Sequence, residues 1–231
     1  MKKLVVLTGA GISAESGIST FRDSNGLWEQ YRVEDVATPE GWRKNPQLVT
    51  QFYNERRKQL LTSQPNYGHI GLAELEEFFD VTIITQNVDN LHERAGSKKV
   101  IHLHGELTKV RSERNENLVY QLSPEQYEVH IGDKAEDGAQ LRPHIVWFNE
   151  AVPMIEPAIE ECQKADIFVI VGTSMVVYPA AGLIHYTRPG IPIFLIDPKE
   201  VNVQHNHVTV IQDVASSGMK KLIQMLKENY L

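Results

Sequence analysis

The sequence predicts an α/β protein with a doubly wound parallel sheet and a smaller domain formed by two insertions. Three observations predict it. Nearly continuous, β-branched apolar runs recur along the chain, the pattern of strands covered on both faces. Helical stretches alternate with them at both ends of the chain, as right-handed crossovers in a parallel sheet require. The first run, Lys3–Thr8, leads straight into Gly9-Ala10-Gly11-Ile12-Ser13-Ala14. Such a Gly-X-Gly turn, here without the third glycine of the usual dinucleotide fingerprint, lets backbone approach a phosphate group, with the following helix aiming its N-terminus at the charge. A tight turn that needs glycine for steric reasons only is the plainer alternative.

The elements follow in order. After Lys3–Thr8, a helix is expected over Pro46–Leu61, with Asn45 as its cap, Pro46 in its first turn, and Val49, Phe52, Tyr53 and Leu60 along it. A second helix, Tyr67–Glu77, follows Pro65 and precedes the strand Phe79–Thr85. The helix Pro153–Cys162 precedes the strand Asp166–Gly172. The turn Arg188-Pro189-Gly190 opens the strand Ile191–Ile196, and Asp197-Pro198 closes it. Val208–Ile211 is the last strand. The final helix, Val214–Asn229, gathers Met219, Leu222, Ile223 and Leu226 on one face.

Two segments break the alternation. Leu27–Pro65 is helical and rich in Arg and aromatics, whereas Lys109–Leu141 is polar and poorly periodic, with Tyr127–Ile131 as a possible short strand. They are expected to pack together as a small module over the carboxyl ends of the strands, where open sheets bind ligands. The large domain is then 1–26, 66–108 and 142–231, and the small one 27–65 and 109–141.

Composition narrows the function. Of 231 residues, 42% are hydrophobic and 23% charged, as in ordinary soluble proteins. No run approaches the roughly 20 apolar residues of a membrane span, and no leader is read before the first strand, so a cytoplasmic protein is expected. The net charge of -7 argues against a nucleic-acid binder and suits a basic peptide partner. Cys162 is the only cysteine, which excludes an internal disulfide and a multi-thiolate zinc site. Its apolar helical setting reads as core.

Chemistry gathers after the second strand. Gln86, Asn87 and Asp89 sit just past the strand end, where amide and carboxylate groups can hold hydroxyls or a water. Capping of the next helix by Asp89 or Asn90 is the plainer alternative. In Ile101-His102-Leu103-His104-Gly105 both histidines share a face, and either suits a base working near neutral pH.

Gly9–Ile18 with Thr20-Phe21-Arg22-Asp23, Thr85–His92, His104-Gly105, and Gly172-Thr173-Ser174 with Tyr178-Pro179-Ala180 resemble, in order, four motifs of the sirtuins. The resemblance covers almost the whole chain and implies an NAD-consuming protein lysine deacylase with a Rossmann-like large domain. It implies His104 as base, with Asn87 at the ribose and a water and Asp89 at the nicotinamide carboxamide. His92 and His102 are then structural. The cofactor-binding set implied is Gly9, Ala10, Gly11, Ser13, Ala14, Phe21, Arg22, Trp28, Gln86, Asn87, Asp89, Gly172, Thr173, Ser174, Asp197 and Ala215. Val146, Trp147 and Phe148 resemble the loop that pairs with substrate peptide as an added strand. Tyr53 and Arg56, three apart on one helix face, match the Tyr-X-X-Arg of members acting on succinyl- and malonyl-lysine. The plainer alternative there is a solvated face, with Arg56 or Arg57 paired to Glu55 or Glu40.

The resemblance further implies acyl-lysine proteins or peptides as partners, acyl transfer to ADP-ribose and nicotinamide release. A monomer is expected. Two departures stand out. Ser112 replaces the first cysteine of the zinc ribbon many sirtuins carry, and Asp137–Gln140 offers none, so no metal is expected and apolar contacts of Leu118, Tyr120, Leu122, Tyr127 and Val129 must hold the insertion. Asn149 stands where the peptide loop normally has glycine; Asn best replaces Gly at positive φ. The competing functions are an NAD glycohydrolase using the same pocket and a non-catalytic NAD or ADP-ribose binding module.

Overall fold

The computed structural model describes residues 1–18, 31–201 and 208–231. Its strands are β1 (Lys3–Thr8), β2 (Asp80–Thr85), β3 (Val100–His102), β4 (Gly105–Ser112), β5 (Val119–Gln121), β6 (Leu141–Ile145), β7 (Ile167–Val171), β8 (Ile193–Ile196) and β9 (Val208–Ile211). Six form one parallel sheet in the order β3-β2-β1-β7-β8-β9. From β1 the chain winds outward to β2 and β3 on one side and to β7, β8 and β9 on the other. The crevice beyond the carboxyl ends of β1 and β7 is therefore the topological switch point, where such sheets take ligands.

The helices are α1 (Val33–Val36), α2 (Pro39–Lys44), α3 (Pro46–Thr62), α4 (Tyr67–Glu74), α5 (Leu91–Arg94), α6 (Ile155–Lys164) and α7 (Ala215–Tyr230). Helix α3 starts as its sequence predicts: Asn45 Oδ1 accepts from the Leu48 N–H, and Pro46 occupies the first turn. Alternation along β1 explains the layering. Leu4 and Val6 pack with Leu72, Leu75, Met219 and Leu222 from α4 and α7 and the turn after α4, while Val5 and Leu7 pack with Ala158, Cys162, Leu183 and Ile184 on the opposite face. Each such fully buried aliphatic side chain contributes roughly 1.5–3 kcal/mol, so both faces of the sheet must be covered. Cys162 is a core residue, its thiol pushed up to about 12 by burial.

The two insertions share a third core. Trp42, Val49, Phe52 and Tyr53 from the first meet Leu107, Ile145 and Trp147 from around the second. Beside it lies a three-stranded antiparallel sheet, β5-β4-β6.

Two expectations are corrected. Tyr127–Ile131 is not a strand: the Asn54 side chain supplies both ladder-like bonds to Val129, donating to its carbonyl at 2.8 Å and accepting from its N–H at 3.0 Å. Strand β5 pairs with β4 instead. Of the five apolar residues expected to hold the second insertion, only Val129 is buried. A polar clasp does more of that work: buried Ser112 Oγ accepts from the Arg114 and Asn115 N–H groups and donates to Asp137 at 2.7 Å. The helix expected after Gly9 is a seven-residue 3-10 helix, Ala10–Ser16. Asn149 does take positive φ, at 70°.

Candidate active site

The glycines at the switch point interlock. A Cβ on Gly9 would lie 2.6 Å from Thr173 Cβ, and one on Gly11 would lie 2.7 Å from Gly172 Cα. Gly172 itself has φ 61° and lies against Ile12 and Gly11. Gly9 and Gly11 are thus required by the neighbouring loop, whatever else binds there. The Gly11 N–H donates to the Gly172 carbonyl at 2.8 Å. Beside this contact the main-chain N–H groups of Ala10, Thr173 and Ser174 have no acceptor among the described residues, which suits a phosphate-bearing ligand.

Ser13 joins the first loop to the second. Its hydroxyl donates to Asp89 Oδ2 at 3.0 Å and accepts from Asn87 Nδ2 at 3.1 Å and from His69 Nε2 at 3.3 Å. The Asn66 N–H donates to His69 Nδ1, so His69 carries its proton on Nε2. Asn87 also donates to the Gly9 carbonyl, and Asp89 Oδ1 accepts from the Leu91 N–H, the local bond its alternative reading foresaw. Burial pushes the Asp89 carboxyl above its ordinary value, against the pull of the Leu91 and Ser13 donors. His92 lies fully buried, bonded to Thr8 Oγ1 at 3.0 Å, and its ring meets that of His69 at 5.0 Å. Burial depresses the pKa of both rings, His69 to about 4.

His102 and His104 separate by geometry. Both nitrogens of His102 are used, one on the Asn87 carbonyl and one on Glu93 at 2.7 Å. Burial opposes its charge, but Glu93 prevails and its pKa is raised. His104 makes one ring bond, from Nδ1 to the Gln86 carbonyl at 3.0 Å. A carbonyl only accepts, so Nδ1 bears the proton and Nε2 keeps a lone pair. Burial lowers the His104 pKa below 6.5, with the Gln86 carbonyl opposing. Gln86 Nε2 in turn donates to Thr173 Oγ1 at 3.0 Å, tying this loop to the one after β7.

The peptide-loop candidates run beside His104. The Val146 N–H donates to the His104 carbonyl at 3.0 Å, and the Phe148 N–H to that of Ala37. Phe148 is exposed, and Trp147 is buried. Trp147 Nε1 donates to the Tyr53 hydroxyl at 3.0 Å. The Arg56 guanidinium lies 5.8 Å from the Tyr53 ring centroid and 5.7 Å from that of Phe52. Arg57 turns inward to the Leu107 carbonyl and Asn54, and Glu55 takes Tyr31 and Gln51.

The remaining candidates divide. Asp197 stands at the end of β8, where Oδ1 accepts from the Lys199 N–H. Ala14 lies within the 3-10 helix and is exposed. Ala215 is buried at the start of α7 with its methyl directed at Gly68, so its side chain belongs to the core. Phe21, Arg22 and Trp28 lie outside the described residues. Sequence reasoning missed His69. The signal was the Asn66-X-X-His69 spacing, which forms a capping box with the ring as one partner.

The model of the Sir2 family matches residues 9–179. The chain belongs to the Sir2 family. An NAD-dependent protein deacylase of Bacteroides thetaiotaomicron is 62% identical over 230 residues, which are 98% of each chain. A Sir2 homologue solved with NAD superposes with a TM-score of 0.87 at 40% identity, covering 98% of this chain and 90% of that one. A Sir2 protein bound to acetylated peptide superposes at 0.80 and 31% identity, covering 96% and 92%. Against the zinc-ribbon pattern of many sirtuins, this Sir2 chain places the Ser112–Asp137 clasp in the second insertion. No group of three or more His, Cys, Asp or Glu side chains that could hold a metal gathers among the described residues. No helix among them is long and apolar enough to cross a membrane.

Proposed function

We propose that the chain is an NAD-dependent protein lysine deacylase that removes succinyl and malonyl as well as acetyl groups. The observation that carries the deacylase reading is His104, a half-buried imidazole with a free Nε2 lone pair, its main chain bonded to the peptide-loop residue Val146. A base and a peptide-docking strand on one residue suit a reaction on a lysine side chain.

When bound, NAD supplies a ribose carbon that takes the acyl oxygen as nicotinamide leaves. The residues of this chain do the rest. The Ala10, Thr173 and Ser174 N–H groups, with Gly9, Gly11, Ala14 and Gly172 giving close approach, are assigned to the phosphates, and Asp197 to the adenosine ribose. Asp89 and Ser13 are assigned to the carboxamide, and Asn87 and Gln86 to the ribose hydroxyls. His104 Nε2 is assigned to draw a proton from a ribose hydroxyl, and the edge of Val146–Phe148 to dock the peptide. Segments 27–65 and 109–141 are assigned as the two insertions that form the smaller domain. The succinyl and malonyl assignment is supported by Tyr53, buried in the module's core, and by Arg56, whose guanidinium lies 5.8 Å from that ring's centroid.

Mass spectrometry of NAD with matched acetyl-, malonyl- and succinyl-lysine peptides tests this reading. Nicotinamide, free lysine and acyl-ADP-ribose should form in equal amounts. Plain ADP-ribose at the same rate with and without peptide would make the chain a glycohydrolase, and no turnover with any peptide a binding module.

A further inference from the structure

We infer that the Trp147 indole N–H determines acyl specificity, because its bond to the Tyr53 oxygen commits the phenol's own hydrogen to a carboxylate on the acyl chain. The inference rests on the reading of Tyr53 and Arg56 given above and adds a third, indirect group to it.

An indole N–H only donates, so in the 3.0 Å contact the Tyr53 oxygen must accept. The Arg56 guanidinium, 5.8 Å from the ring centroid, also only donates, so it offers the phenol's hydrogen no acceptor. What remains is the O–H, and it meets no acceptor among the described residues although Tyr53 is fully buried. A buried hydroxyl in that state seeks an acceptor. With a guanidinium beside it, the fitting partner is an anion that carries no proton, such as the terminal carboxylate of a succinyl or malonyl group. An acetyl methyl has nothing to offer there. Without the indole N–H, the phenol could turn its hydrogen elsewhere and present a lone pair to the carboxylate.

Trp147 is held to this task. The Arg142 guanidinium lies 3.5 Å over its ring. Arg142 makes a two-pronged bond to Glu150 at 2.8 and 3.1 Å, and Glu150 accepts from the Trp147 main-chain N–H at 2.8 Å. The peptide-docking loop and the acyl end are thereby one hydrogen-bonded chain, Arg142–Glu150–Trp147–Tyr53. Trp147 is a positioning residue in it.

The ring's packing role and the N–H can be separated by experiment. Trp147 is replaced by 3-benzothienylalanine, which keeps the bicyclic shape and puts sulfur in place of N–H, and in parallel by Phe (Trp147→Phe). For each variant, kcat/KM is measured on succinyl- and acetyl-lysine peptides, in the native background and in Tyr53→Phe. The succinyl-to-acetyl ratio should fall about five- to tenfold in the native background, the usual worth of one such hydrogen bond. In Tyr53→Phe the further change should stay below about twofold, because the coupled partner is gone. An unchanged ratio, or a fall of equal size in both backgrounds, overturns the inference. If Tyr53→Phe and Arg56→Met themselves leave the ratio unchanged, the acyl-reading assignment fails. If they lower it and the Trp147 replacements do not, only the role of the indole fails. The benzothienyl variant keeps the test decisive should Trp147→Phe fail to fold.

Discussion

Ser13 gives its hydroxyl hydrogen to Asp89 across 3.0 Å, although the two stand 76 residues apart in the chain. The same oxygen accepts from Asn87 and His69, so its one donor and two acceptor positions are all used. Ser13→Ala would orphan two buried donors and remove one donor from Asp89. It should lower stability by about 1–3 kcal/mol and kcat/KM for NAD by at least about tenfold. Denaturant unfolding and initial rates measure the two; a stability loss with native kinetics would place Ser13 outside the chemistry.

His104→Tyr should reduce deacylation at least about a hundredfold, the ordinary contribution of a general base. As the proposed base, His104 would act in its neutral form, and burial lowers its pKa. The acid limb of kcat/KM against pH should therefore bend below 6.5. An inflection above 7, or a variant that keeps most of its activity, would move the role to another group.

Arg56→Met should lower the succinyl-to-acetyl ratio of kcat/KM. Breaking a desolvated charge pair costs on the order of 2–5 kcal/mol. Arg56 is partly open to solvent, which favours the lower end, about thirtyfold. A ratio equal to that of the native chain would leave a plain deacetylase.

Acid should weaken the fold through its buried histidines. His69 is pushed down to about 4 and His92 well below its ordinary value, both first by burial. Above pH 6.5 the rings are neutral folded or unfolded. Below it the unfolded chain binds protons that the folded chain refuses, so stability falls with pH. For His69 alone the loss approaches roughly 3 kcal/mol by pH 4. Unfolding free energies at pH 7 and pH 5 should show this slope, and His69→Gln should flatten it; an equal slope in the variant would assign the loss to other groups.

Gly172→Ala should cost at least about 2 kcal/mol, because φ 61° is unfavourable for any side chain and a Cβ would strike Gly11 and Ile12. Gly182→Ala is the control. Its Cβ would meet only Tyr178 at 3.7 Å or more, and stability should change by no more than about 0.5 kcal/mol. Thermal unfolding of the pair distinguishes interlocked loops from a general dislike of substitution.

The centre of the large sheet was legible because β1, β2, β7 and β8 are buried on both faces, and continuous apolar runs such as Leu4–Leu7 and Ile167–Val171 announce that directly. The three-residue strand β3, by contrast, carries too short a pattern to be read. Asn149 was legible because few side chains accept positive φ. The small sheet was not. Strand β5 has three partly polar residues, and β4 finds β6 some thirty positions later, so neither period nor propensity marks them. The Ser112 clasp hid for another reason: a serine's worth depends on which N–H groups the fold brings to it. The residues alone left His102 and His104 open and only the resemblance implied His104, because the Glu93 carboxylate that occupies the His102 ring stands nine residues away in the chain.

His104 lies between the last residue of β3 and the first of β4, the seam at which the parallel sheet gives way to the antiparallel one. Its ring is fastened to Gln86 at the end of β2, and its carbonyl to Val146 just past β6. A residue clamped from both sides acts like the needle of a gauge. A tilt of the small module against the large domain would therefore displace this one imidazole. With His104 as the proposed base, a substitution that skews the joint anywhere along the shared core of Phe52, Leu107 and Ile145 would detune it without touching it.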